Sequence, residues 1–177
     1  MKRLLVVTVV PLLACSPSEP ATRRIDPTRP MIRAADAPRY EATLRDGVQF
    51  WKPGLPLFLA DLAGVSAHEP WGRWTDGRVA VLTFAEPLPT RFTLVVTAAA
   101  YGPNVGRPAT FIAGSTAQTA TFTTQLGSGP PEVRRLMFET SERVDRVEIR
   151  PYEPRRPDNG DDRALGLALF RLQIEPN

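Results

Sequence analysis

The segment "RFTLVVTAAAY", residues 91–101, limits the fold more than any other stretch of the chain. Phe92, Leu94, Val96, Ala98 and Ala100 recur at every second position, while Thr93, Thr97 and Tyr101 take alternate ones. A period of two gathers the apolar set on one face of an extended strand, whereas a helix would scatter it around its circumference. That face needs a second layer to cover it. Similar alternation recurs in residues 42–51, 79–84, 109–114, 119–124, 134–138 and 145–150. Residues 163–174 are apolar on both faces early and alternate later, as expected of a central strand running toward an exposed end. With 19 prolines and 12 glycines, the chain is interrupted too often for long helices.

These runs predict an all-β domain of about eight strands arranged as a jelly-roll-like two-sheet β-sandwich. An immunoglobulin-like arrangement is disfavoured, because a single cysteine excludes the Cys, Trp, Cys framework. One segment has helical spacing. In "LPLFLADLAG", Leu55, Phe58, Leu59 and Leu62 recur at i, i+3, i+4 and i+7, and Gly64 would supply a left-handed stop, which predicts one short helix.

The first residues, "MKRLLVVTVVPLLAC", pair two positive charges with an apolar run from Leu4 to Ala14. The run is too short to span a bilayer and suits the core of a secretory signal. The stretch "LLAC" resembles the lipobox of bacterial lipoproteins, which implies cleavage before Cys15 and acylation of that residue. Ser16, rather than Asp, follows the cysteine and favours the outer membrane over the inner one. Residues 16–39 hold five prolines and no apolar period, and they read as a tether reaching on the order of 27 Å as a flexible coil. The expected organisation is a signal peptide over 1–14, a lipidated cysteine and tether over 15–39, and the sandwich over 40–177.

Charge and composition exclude several functions. Setting aside Lys2 and Arg3 leaves 20 basic against 19 acidic residues, without the clustered positive excess that nucleic-acid binding needs. His68 is the single histidine, so a His-rich zinc site is excluded, and no Gly-x-Ser-x-Gly accompanies it. Glu69 and Asp76 could form a glycosidase pair, but Arg73 between them would depress a general acid's pKa. The stretch "NGDDR", 159–163, offers oxygen ligands for a structural calcium; the alternative is a polar turn in which Asp162 pairs with Arg163 or Arg73. No other cofactor is expected.

The phrase "EPWGRWTDG", 69–77, concentrates two indoles, a guanidinium and two carboxylates in nine residues. Carbohydrate sites set a flat aromatic face against the C–H surface of a pyranose and ring it with bidentate polar groups. Trp71 or Trp74 would give the face, and Glu69, Arg73, Asp76 and Asn104 the rim. Tyr101 would stand at the strand end, with Asp162 and Arg163 entering if the last strand lies alongside. The competing reading has one indole in the core and Arg73 bracing a carboxylate.

"GVSAHEPWGRWTDG" (64–77), "PLPTRFTLVVTAAAYGPNVGRP" (87–108) and "DDRALGLALFRLQI" (161–174) together resemble the C-terminal domain of bacterial phosphoglycerol transferases, enzymes that decorate osmoregulated periplasmic glucans. The resemblance runs from about Gly47 to Ile174 and includes neither the membrane section nor the metal-dependent catalytic domain of those enzymes. It implies a stand-alone accessory module similar in outline to carbohydrate-binding modules. The expected function is a non-catalytic, periplasm-facing lipoprotein that binds glycan through Glu69, Trp71, Arg73, Trp74, Asp76, Tyr101, Asn104, Asp162 and Arg163. The alternatives are a protein-docking module for an envelope enzyme or transporter, and a glycan-modifying enzyme.

Overall fold

The computed structural model describes residues 31–177, so the signal segment and Cys15 lie outside the described residues. In chain order the strands are β1 (Met31–Arg33), β2 (Arg39–Tyr40), β3 (Val48–Gln49), β4 (Leu55–Pro56), β5 (Leu59–Ala63), β6 (Arg73–Asp76), β7 (Ala80–Phe84) and β8 (Arg91–Ala100). After a 3-10 turn at Gly102–Asn104 come β9 (Pro108–Ala113), β10 (Thr116–Thr121), β11 (Glu132–Glu139), β12 (Arg146–Arg150) and β13 (Leu165–Pro176). Two antiparallel sheets form a β-sandwich. One has the order β1-β5-β7-β12-β9-β10; the other has the order β11-β8-β13-β3, with β6 also pairing β13.

The alternation in β8 determines its position. Phe92, Leu94, Val96, Ala98 and Ala100 are all sealed in the interior, and β8 pairs β11 on one side and β13 on the other. From the opposite sheet, Leu82, Phe111, Val147 and Ile149 meet them in one core cluster. Each such side chain contributes about 1.5–3 kcal/mol on burial, so the contact between the layers dominates the fold's stability.

The expected helix is absent: Leu55 and Leu59 lie in the separate strands β4 and β5. A register shift between Leu59 and Asp61 marks a β-bulge, which lets Leu59 and Leu62 both point inward although they are three residues apart. The bulge imitates the helical spacing. The helical turn among the described residues is the 3-10 turn after β8, a different place from the one expected.

Two further differences bear on the site. β1 pairs β5 and β2 pairs β4, so part of the segment read as a tether is paired within the fold. The strand expected over 42–51 shrinks to β3, because Asp46 accepts hydrogen bonds from the Thr43 amide and hydroxyl and closes a turn before it. A second bulge, between Leu169 and Arg171 in β13, turns Phe170 and Arg171 both toward the outer face of their sheet.

Candidate functional site: an indole platform on the outer face

The tetrad Glu69-Pro70-Trp71-Gly72 is a tight turn, closed by reciprocal backbone bonds from the Glu69 amide to the Gly72 carbonyl (2.7 Å) and back (3.0 Å). Proline at the second position and glycine at the fourth match a type I turn, and no non-glycine residue among those described has positive φ. The turn therefore holds Trp71 at the tip of a hairpin whose returning arm is β6. Gly72 presses against β13 so closely that a Cβ would collide with the Leu169 carbonyl oxygen.

Three contacts fix the Trp71 ring. Its Nε1–H donates to Glu69 Oε2 at 3.0 Å. The ring meets Trp74 edge-on at 5.2 Å between centroids and lies tilted against Phe170 at 5.3 Å. Trp71 remains half-buried, so part of the indole faces water. Trp74 is 6% exposed and packs in one cluster with Ala99, Leu165 and Ala168, with Tyr101 edge-on at 5.6 Å.

The charges beside Trp71 form one chain of contacts. Glu69 Oε1 accepts from Arg163 Nη1 at 2.9 Å, and Arg163 clasps Asp161 through Nε (2.9 Å) and Nη2 (2.6 Å). The Arg163 side chain pulls the Asp161 carboxyl down to about 2, and the same bonds raise the guanidinium above its ordinary value. The residue that orients the indole is thereby oriented by a second charge pair.

Other expected site residues lie elsewhere. Arg73, adjacent to Trp74 on a strand, points to the opposite side, where Nη1 donates to the Ser66 carbonyl at 2.9 Å. It is 3% exposed and braces neither Glu69 nor Asp76. Asp76 accepts the Ala164 amide at 2.8 Å and pins β6 to the start of β13. Asn104 is 1% exposed; its Nδ2 donates to the Tyr101 and Glu153 carbonyls and its Oδ1 accepts the Glu153 amide, so it clamps two loops. Asp162 is exposed, and its neighbour Asp161 holds Arg163. The expected rim thus loses Arg73, Asp76 and Asn104, and Glu69, Trp71, Tyr101 and Arg163 remain together around Trp74.

Asp161 and Phe170 belong to the site but were not expected there. Residues two apart in an extended segment share a side, which places Asp161 with Arg163. Phe170 follows Ala168 by the same rule, but the bulge beyond it has no sequence mark. In "NGDDR", Asn159 Oδ1 accepts the Asp161 amide and Asp161 is engaged by Arg163, and no group of three or more metal-ligating side chains occurs among the described residues.

A family profile described as a domain of unknown function (DUF7024) matches residues 33–176. Phosphoglycerol transferase I of Escherichia coli O139:H28 (strain E24377A / ETEC) and that of Shigella boydii serotype 18 (strain CDC 3083-94 / BS512) are each 29% identical over 144 residues. The alignment covers 77% of this chain and 18% of each relative, in the relatives' C-terminal region. The chain therefore spans less than a fifth of their length. No solved structure gives a significant match.

Proposed function

The chain belongs to the DUF7024 family, and from that premise we propose that its sandwich is a non-catalytic glycan-binding domain of the bacterial cell envelope. The observation that carries this reading is the partly exposed Trp71, locked by Glu69 and flanked by the Glu69, Arg163, Asp161 chain of charges. A pre-oriented indole loses little freedom when a pyranose stacks on it, and the neighbouring carboxylate and guanidinium can hydrogen-bond ring hydroxyls in place of water. The ligand class is a periplasmic glucan or another envelope saccharide. Support for that class comes from the similarity to phosphoglycerol transferase I.

A non-catalytic role fits the engagement of the carboxylates: Glu69 is tied to Trp71 and Arg163, and Asp76 to a backbone amide. Neither is placed as an unengaged acid across from the other. Among the described residues no helix is long and apolar enough to cross a membrane. The proposal places the domain on the periplasmic side, held to the outer membrane through Cys15.

Calorimetric titration of the purified protein with β-glucan oligosaccharides tests the reading. Binding that weakens at least about tenfold in Trp71→Ala, some 1.4 kcal/mol, supports it. Absence of binding to every β-glucan and envelope saccharide tried would remove it.

A second reading, docking to an envelope protein, is favoured by Val133 (54% exposed) and Met137 (73% exposed), which alternate on the outer face of the edge strand β11. Crosslinking in envelope extracts through Met137, lost in Met137→Ser, would favour it over the glycan reading.

A further inference from the structure

Arg73 is the buried charge for which the glycan platform has no use. A guanidinium brings five N–H donors and a charge that is costly to remove from water without an opposite charge. Its Nη1 donates to the neutral Ser66 carbonyl, and among the described residues no carboxylate forms an ion pair with it. The ionisable neighbour acting on it is the Tyr40 phenol, whose pKa burial raises; a phenol is neutral near pH 7 even at its ordinary value. Burial lowers the Arg73 pKa, the direction expected where compensation is incomplete.

Arg73 also lines a solvent-open cavity of about 490 Å³ on the side of β6 away from Trp74. Ile32, Pro38, Pro53 and Val65 give it apolar walls, with Asp36 and His68 also at its edge. The walls are joined, because the Leu55 amide donates to the Pro38 carbonyl at 2.9 Å and β1 is paired along β5. An apolar cleft with one buried cation is a built receptor for one anionic group. The single guanidinium, with Asp36 nearby, favours one negative charge over two.

We propose that this cavity binds a monoanionic oxyacid, a carboxylate or a phosphodiester, whose short apolar substituent lies against Ile32, Pro38, Pro53 and Val65. The guanidinium fork receives the two anionic oxygens, and the apolar substituent displaces water from the walls. This site shares no residue with the Trp71 platform, so the outcome of a glycan titration does not bear on it.

The test is NMR titration of the purified protein with hexanoate, dibutyl phosphate and neutral 1-hexanol, followed at the Arg73 Nε–H resonance. One or both anions are expected to shift that resonance and to bind at least about tenfold more tightly than hexanol; which anion binds identifies the oxyacid. Arg73→Met should abolish the preference for anions. Ala67→Trp, an exposed change at the cavity edge, should weaken anion binding without changing the melting temperature, and it serves if Arg73→Met does not fold. An unmoved Arg73 resonance with both anions, or hexanol binding as tightly as they do, would overturn the proposal.

Discussion

The two indoles of "WGRW" have opposite duties, and substitution should separate them. Trp74 fills the outer cluster over Ala99 and Ala168, so Trp74→Ala should cost about 3–5 kcal/mol in chemical denaturation. Trp71→Ala removes a partly exposed ring and should cost less, about 1–2 kcal/mol, while abolishing most saccharide affinity. Asp161 gives a pH signature. Its carboxyl titrates at about 2 rather than 3.8, held down first by the Arg163 side-chain hydrogen bonds. A folded-state value below the unfolded one means that its contribution is complete above pH 3.8 and fades as the pH falls toward 2. Melting temperatures of the protein and of Asp161→Asn should differ by a constant amount from neutral pH to about pH 5 and converge below it. The residue types of this site were legible in "EPWGRWTDG", and the turn signature of Glu69-Pro70-Trp71-Gly72 stood in the same phrase. What the phrase concealed was the alternation of β6, which sends Arg73 and Trp74 to opposite sides.

The hairpin that carries Trp71 works only because it lies close to β13. Gly72→Ala would drive a methyl group into the Leu169 carbonyl, so the hairpin must lift from the sheet and carry the indole out of contact with Phe170. The expected result is a melting temperature lower by several degrees together with loss of saccharide binding, measurable on one protein sample. Bulges mark the limit of sequence reading at this scale. Strands β8, β9, β11 and β12 follow their alternation with little displacement, because nothing interrupts their period. In β5 a bulge converted a period of two into apparent helical spacing, and in β13 another set Arg171 on the outer face beside Phe170. The extra residue is fixed by pairing with the neighbouring strand, a long-range cause that no local pattern contains.

The molecule as a whole divides its work between two faces of one sheet. Inside, a single apolar cluster joins both layers, so unfolding should be one cooperative transition. Far-ultraviolet dichroism, which follows the strands, and tryptophan fluorescence, dominated by the outer cluster, should give coincident denaturation curves; a fluorescence midpoint at lower denaturant would mean that the outer cluster melts separately. Outside, the same sheet displays the aromatic cluster, while the core it covers keeps the platform rigid. The central claim is that Trp71 offers the exposed part of its ring to a saccharide. Its direct test is to record the three indole N–H resonances by NMR during titration with a β-glucan oligosaccharide. The Trp71 signal should shift saturably while the signal of Trp51, whose ring is covered by the Arg171 guanidinium at 5.3 Å, stays in place and Trp74 follows only weakly through its ring contact. Saturable binding that leaves Trp71 unmoved, or no shift in any indole up to millimolar oligosaccharide, would contradict the account.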